Sequence, residues 1–467
     1  MKSFIAFLSL LSLSLAHEFV TCKSQKVDQL GVEHVSFTPD PPKSGLPVEV
    51  AVKGRSSIDV TAGKLHVDVR VLGIVVESQV LELCDVVKCP LKAGEEYEGK
   101  VTQQIPEGTP DHMGATVRLT LIDENGHSLS CLESYVEIGP NVVDGTFGTT
   151  HNVLEQDIKF LFEKWKLQYP KVFANLEVFA ENLKKIFTHN SNKESTFKMA
   201  MNEFGSMTLE EFTSTRLGYR SHESNKGSKP VFSLRPEVFM ADPPAELDWT
   251  TRGVVTEVKN QGACGSCWAF SAVASLESAY AQKYGKLVEF SEQELVSCDM
   301  GDYGCQGGLM DSAFDWIEHS SGGLCSEADY SYTSGTSSAR GECLRNTCTP
   351  VSDSVPKGYI DVPQNEAALL AALNQHGPVS VAIEADQAAF QFYHSGVLTG
   401  ACGNHLDHGV LLVGYGVDAA TGTPFWKVKN SWGAGWGEAG YVRILRGKRW
   451  PQGGECGIAS AASYPIL

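Results

Sequence analysis

Apolar and polar positions alternate with a period of two through much of the first 140 residues. Val48-Glu-Val-Ala-Val52, Leu65-His-Val-Asp-Val-Arg-Val71 and Val117-Arg-Leu-Thr-Leu-Ile122 each set an apolar face against a polar one, which predicts half-buried strands. Glu124-Asn125-Gly126 predicts a hairpin turn. Short strands broken by Gly and Pro predict an all-β antiparallel sandwich over residues 17–140. The period then changes. Glu155–Tyr169 places Ile158, Leu161, Phe162 and Trp165 on one helical face, and a second helix is predicted at about Asn175–His189. Ser221–Asp242 is polar and carries Pro and Gly, so it reads as an exposed linker closing a segment 150–242. In the last segment, 243–467, Phe270, Val273, Leu276 and Tyr280 predict a helix from Trp268 to about Tyr284. Gly262 and Gly265 break the chain before it and Gly285 follows it.

Composition narrows the class. A chain of 467 residues has room for about three domains. Its formal net charge of −18 argues against a nucleic-acid partner. Met1–Ala16 holds Lys2, an apolar run and a small-residue end, the pattern of a secretory signal peptide. No later apolar run reaches the ~20 residues of a transmembrane segment. The expectation is therefore a secreted protein or one delivered to a lysosome-like acidic vesicle. Thirteen cysteines imply disulfides, and the odd count leaves one thiol over as a candidate reactive group. Among the first four, the Cys84–Cys89 spacing suits a local loop and leaves Cys22 with Cys131, although four cysteines allow three pairings.

The chemistry gathers around Gln261-Gly-Ala-Cys-Gly-Ser-Cys267. Cys267 stands where the helix begins, and unpaired N–H groups there favour a thiolate. A redox pair would need a preceding strand in a small αβ unit, and half a zinc site would need a second CxxC pair; neither is found. A thiolate nucleophile needs a base, an orienter for that base and oxyanion donors. His408 begins the apolar run Gly409-Val-Leu-Leu-Val413 and can be held at a cleft edge, or can be a satisfied structural histidine. His405 has no such setting and reads as solvated. Asn430 can accept from a ring N–H, with Trp432 and Trp436 as shields, or can simply cap a turn. Gln261 can donate to an oxyanion together with the Cys267 N–H.

Three resemblances follow. Residues Cys22, Gly45, Cys84-x4-Cys89-Pro90-Leu91, Ile105-Pro106 and Leu129-Ser-Cys131 resemble the MD-2-related lipid-recognition (ML) family. That resemblance implies an immunoglobulin-like fold with a lipid ligand between two sheets; the alternative is a spacer or adhesion sandwich. Phe179, Asn182, Ile186 and Asn190, with Asn202 and Phe204, resemble the inhibitory propeptides of papain-like proteases, although Lys171 and Asn175 depart from that signature. Gln261-Gly-x-Cys-Gly-Ser-Cys267-Trp, Gly304-Cys-Gln-Gly-Gly308, Asp407-His408-Gly-Val and Lys429-Asn430-Ser-Trp-Gly resemble the papain-like cysteine proteases, with ends closest to the cathepsin L branch. This implies an α+β fold of two lobes and a Cys267 thiolate paired with a His408 imidazolium. It also implies a substrate cleft formed by Gly307, Gly308, Leu309, Met310, Leu406, Asp407, Ala461 and Trp432. The substrates would be proteins or peptides, and no metal or organic cofactor is required. Leu309, Met310, Leu406 and Ala461 would line an uncharged pocket for the second residue before the cut. The propeptide would silence the cleft at neutral pH and be cut within Ser221–Ala245. The resemblance also implies Cys264–Cys305, Cys298–Cys343 and Cys402–Cys456, which leaves Cys325 and Cys348 to each other.

Overall fold

The computed structural model describes residues 20–22, 28–110, 113–124, 126–139, 155–220, 243–447 and 453–467. Met1–Ala16, Asn125 and the linker Ser221–Asp242 lie outside the described residues. The chain divides into two compact units, 1–187 and 188–467.

In the first unit the period-two segments are strands. They are β1 (Val20–Thr21), β2 (Val32–Thr38), β3 (Pro47–Arg55), β4 (Lys64–Val71), β5 (Ile74–Glu82), β6 (Glu96–Gln104), β7 (Ala115–Ile122) and β8 (Ser128–Val136), with a one-turn helix α1 (Leu83–Val86) after β5. They form an antiparallel sheet β1-β8-β7-β4-β5 and a second antiparallel sheet β2-β3-β6. Alternation sets the burial. In β4, Leu65, Val67, Val69 and Val71 are buried while Lys64, His66, Asp68 and Arg70 are not. Cys22 bonds to Cys131 and Cys84 to Cys89. Two helices follow, α2 (Glu155–Gln168) and α3 (Leu176–Ser191). Phe162, Trp165 and Phe179 pack ring to ring between them. Asn175, a departure from the expected signature, accepts from the Glu177 and Val178 N–H groups and so caps α3.

The second unit begins with the end of α3, then β9 (Phe197–Met199) and α4 (Leu209–Arg216). Asn190 brackets Met199, donating to its carbonyl at 2.7 Å and accepting from its N–H at 3.0 Å. Thr208 and Glu211 form a capping box that starts α4. Helices α5 (Cys267–Tyr284), α6 (Glu292–Cys298), α7 (Met310–Trp316) and α8 (Ser334–Ser337) form one half of the remaining chain. The other half holds β10 (Leu247–Asp248), β11 (Tyr359–Asp361), α9 (Glu366–His376), β12 (Val379–Ile383), α10 (Ala388–Gln391), β13 (Tyr393–Leu398), β14 (His408–Val417), β15 (Pro424–Lys429), β16 (Tyr441–Leu445) and β17 (Ala462–Pro465). The sheet runs β11-β17-β12-β14-β15-β16-β13-β9, with β10 on β14, so β9 is added to its rim. Helix α5 begins at Cys267, one residue before the predicted start at Trp268, and is capped by Gly285 in the left-handed region. Most of α5 is buried, and Trp268, Ala272, Val273 and Leu276 join Phe290, Leu295 and Phe314 in the core. Cys264–Cys305, Cys298–Cys343, Cys325–Cys348 and Cys402–Cys456 are bonded, and the free thiol among the cysteines is Cys267. Among the described residues no helix is long and apolar enough to cross a membrane.

Candidate active site

Cys267 is the first residue of α5 and is fully buried. The loop before it is fixed from several sides. The Cys264–Cys305 bond ties it to the turn that carries Gly307 and Gly308. Tyr332 Oη donates to the Gln261 carbonyl at 2.8 Å, which leaves Ser266 Oγ to donate to Tyr332 at 2.8 Å. The Gln261 N–H donates to the Ser431 carbonyl at 2.8 Å, joining this loop to the Asn430 turn. Behind it, Lys259 bridges Glu277 on α5 and Glu292 on α6 at 2.9 and 2.7 Å.

His408 opens β14 opposite Ile383, and the Gly409 N–H points at Cys267 Sγ at 3.4 Å. His408 Nε2 lies 2.8 Å from Asn430 Oδ1. That oxygen also accepts from the Ser431 N–H at 2.8 Å, so it is the acceptor and Nε2 carries the proton. Nδ1 is thereby left as the basic nitrogen, and it is buried with no hydrogen-bond partner among the described residues. Trp432 stacks on the His408 ring at 4.7 Å and Trp436 meets Trp432 edge-on, so water is kept from the His408–Asn430 bond. Gln261 Oε1 accepts from Ser431 Oγ and Trp432 Nε1, which turns its NH2 toward the Cys267 end of the loop. The four residues picked out by chemistry are therefore brought together. His405 is exposed, whereas the other four are buried.

Comparison with known proteins decides the family. The thiol protease SEN102 of Hemerocallis is 45% identical over 327 residues, covering 67% of this chain and 87% of that protein. The chain belongs to the papain family of cysteine proteases. The pattern of the papain family cysteine protease matches residues 243–466, that of the cathepsin propeptide inhibitor domain residues 162–212, and that of the ML domain residues 16–138. Mouse procathepsin L is 40% identical over 328 residues, covering 67% of this chain and 93% of that one. The crystal structure of the ragweed pollen allergen Amb a 11 in its proform has a TM-score of 0.60 at 38% identity, covering 69% of this chain and 98% of that one. The protein is a zymogen of a papain-like cysteine endopeptidase.

The proenzyme's own chain crosses the site. Gly218 and Tyr219 donate to the Asp407 carbonyl at 3.0 and 2.8 Å, the Gly308 N–H donates to the Gly218 carbonyl at 2.9 Å, and the Arg220 N–H donates to the Gly308 carbonyl at 3.1 Å. Tyr219 thus pairs with Gly308 in a parallel bridge. Gln261 Nε2 donates to the Arg216 carbonyl at 2.9 Å, so the oxyanion donor foreseen from sequence is engaged by the propeptide. Gly218 is where the chain comes closest. A Cβ there would fall 1.9 Å from the Gly265 carbonyl oxygen. Gly308 lies flat on the Trp268 indole, where a Cβ would sit 2.6 Å from the ring. From the other side Phe204 and Phe212 stand edge-on to Trp432 at 5.7 and 5.1 Å.

This cover changes the electrostatics. Burial pushes the Cys267 thiol up to about 12, against the pull of the Gly409, Gly218 and Trp268 N–H groups. Burial pulls His408 down to about 4, against its contact with Asn430. In the covered state the pair is a thiol and a neutral imidazole, whereas the resemblance implies a thiolate and an imidazolium. Met310 is buried, and Leu406, Ala461 and Tyr219 pack against the same apolar cluster. Leu309 is half-buried at the start of α7. Burial, with the carboxylates of Asp311 and Asp361 adding to it, pushes the Tyr219 hydroxyl well above its ordinary value. Asp407 meets the propeptide through its backbone carbonyl, while its side chain accepts from the Ala385 N–H. Leu217–Arg220 was unassigned from sequence. A glycine between two apolar residues just before a polar linker was the only signal there.

Proposed function

We propose that Cys267 is the nucleophile, His408 the proton carrier, Asn430 its orienter and Gln261 an oxyanion donor. The observation that carries this reading is the free Nδ1 of a histidine whose Nε2 is fixed by Asn430, beside a thiol at a helix start. Once the propeptide leaves, water enters, the burial penalty falls and the thiol proton can pass to Nδ1. The thiolate attacks a peptide carbonyl carbon, and Gln261 Nε2 with the Cys267 N–H holds the oxyanion. The C–N bond then breaks as His408 gives its proton to the leaving amine. Water attacks the thioester, His408 takes its proton, and the acid product and the thiol are released. Gly307, Gly308 and the Asp407 carbonyl support the substrate backbone, Leu309, Met310, Leu406 and Ala461 the side chain before it, and Trp432 the wall beyond. Alkylation of the matured enzyme should label Cys267 alone and stop peptide hydrolysis. Full activity after complete labelling would reject the assignment.

The two sheets of the N-terminal unit support an immunoglobulin-like sandwich that holds a hydrophobic ligand. Its few aromatics leave the inner faces aliphatic: Phe37 is buried, Tyr135 is 62% exposed, and Tyr97 lines a cavity. Met1–Ala16 supports export, to the exterior or to an acidic vesicle, with maturation in Ser221–Ala245. Purified precursor should carry lipid extractable by organic solvent. A folded precursor that carries and takes up none would favour the spacer reading.

A further inference from the structure

The inner face of β6 reads Tyr97, Gly99, Val101 and Gln103. It helps enclose a cavity of about 40 Å³ that reaches both sheets, with Val50 and Val101 on one and Leu65, Leu119 and Leu132 on the other. The lining is aliphatic except where Tyr97 and Ser130 stand. The Tyr97 hydroxyl is buried and has no hydrogen-bond partner among the described residues. Gly54 makes room for it, since a Cβ at that position would lie 2.8 Å from the hydroxyl and 2.9 Å from Val32 Cα. Ser130 Oγ donates to Asp28 Oδ1 at 2.5 Å, and Asp28 also accepts from the Leu30 and Val32 N–H groups. The charged groups that act on the Tyr97 hydroxyl, Asp28 and Glu33, are both carboxylates. The nearby cations of β3 are engaged at the surface, Lys53 with Glu98 and Arg55 with Glu96.

We propose, resting on the lipid-binding reading above, that this cavity selects an uncharged lipid ending in a hydroxyl, seated at Tyr97 and Ser130, over lipids with an anionic end. A buried phenol O–H with no acceptor is costly, and a ligand hydroxyl oxygen relieves it. The ligand's own proton then has the Tyr97 oxygen or the Asp28 carboxylate to donate to. A carboxylate end would also accept from Tyr97. It would, however, be buried beside Asp28 with no cation among the described lining residues to offset its lost hydration.

The test uses full-length precursor carrying Cys267→Ala, so that it does not process itself. A fluorescent long-chain alcohol and the fatty acid of the same chain and fluorophore are titrated at pH 7.5. The alcohol should bind at least ~10-fold more tightly. Tyr97→Phe should cut alcohol affinity several-fold and narrow the gap, and Asp28→Asn should raise the affinity for the acid. Acidification toward the fatty acid's own pKa should also narrow the gap. Equal or tighter binding of the acid at pH 7.5 overturns the selectivity and leaves the lipid reading standing. Binding of neither probe overturns both.

Discussion

In the protease cleft, Gln261 Nε2 donates to Arg216, Gly308 pairs with Gly218 and Arg220, and the Asp407 carbonyl holds two N–H groups. In the N-terminal cavity the Tyr97 hydroxyl donates to nothing among the described residues. Both regions are concave and both bury polar atoms. They differ in whose atoms complete them. The cleft is completed by backbone from the same chain, which is how a chain stores a competent site in an inactive form. The cavity presents an incomplete polar end, which is how a site built for an outside ligand looks before the ligand is considered. The contrast holds for Gln261 and the backbone edge of the cleft, which the propeptide satisfies, and not for His408 Nδ1, which has no hydrogen-bond partner among the described residues.

The strongest way to sharpen that contrast is to remove chemistry from one region only. Cys267→Ser should lower peptide hydrolysis by about 10⁴-fold or more and leave lipid uptake unchanged, because serine is far harder to ionise beside His408. Hydrolysis and probe binding measured on one preparation check this; a fall in both would mean that the variant is misfolded. Next comes the cover itself. Phe212→Ala removes a ring that is fully buried against Trp432. A loss of about 3 kcal/mol in propeptide docking is expected. The uncleaved precursor should then hydrolyse a small fluorogenic peptide at pH 7 roughly 100-fold faster. Gly218→Ala should act in the same direction but less strongly, ~10-fold, since the chain can shift away from Gly265 at a cost of about 1–3 kcal/mol. An unchanged latent rate would show that the crossing at Gly218 does not hold the cover down.

The smallest expected effect concerns pH. Burial holds His189 below its ordinary value of 6.5, beside Phe197 and Ser195. A depressed histidine favours the packed state in its neutral form. Its contribution is full above about pH 6.5 and is lost as pH falls below that value. Glu203 is raised by burial, so the docked state takes up its proton more readily, and this group strengthens docking as pH falls. His189 therefore promotes acid release and Glu203 opposes it. His189→Phe should move the midpoint of acid activation a few tenths of a pH unit lower, read from the onset of processing. Movement upward would show that the ring's packing, not its charge, governs the contact.

The sequence carried the site further than it carried the site's cover. Periodicity located α5 within one residue, because a buried helix must repeat its apolar face. Cys267, His408 and Asn430 were legible because each needs a particular neighbour to be chemically useful. The strands at Val48, Leu65 and Val117 were legible for the same reason, since alternation records which face is wet. The joining of β9 to β13 was not legible. Three residues carry no period, and their partner lies almost two hundred positions away. Gly218 was missed because its role is set by the Gly265 carbonyl, which its own surroundings in sequence do not mention. The placing of the Tyr97 hydroxyl was not legible, because it depends on Gly54 across a strand pair.

β13 lies between β16 and β9, with Gly396 opposite Phe197, the Val397 N–H on the Thr196 carbonyl and Thr196 Oγ1 on the Val397 carbonyl. When the propeptide departs, that seam opens and β13 becomes the outer rim of the sheet. A bare rim offers its unpaired N–H and C=O groups to any extended chain, including another copy of itself. Maturation therefore exchanges a capped molecule for one with an adhesive border. Concentrated stocks should keep best as the precursor, for a reason unrelated to self-digestion.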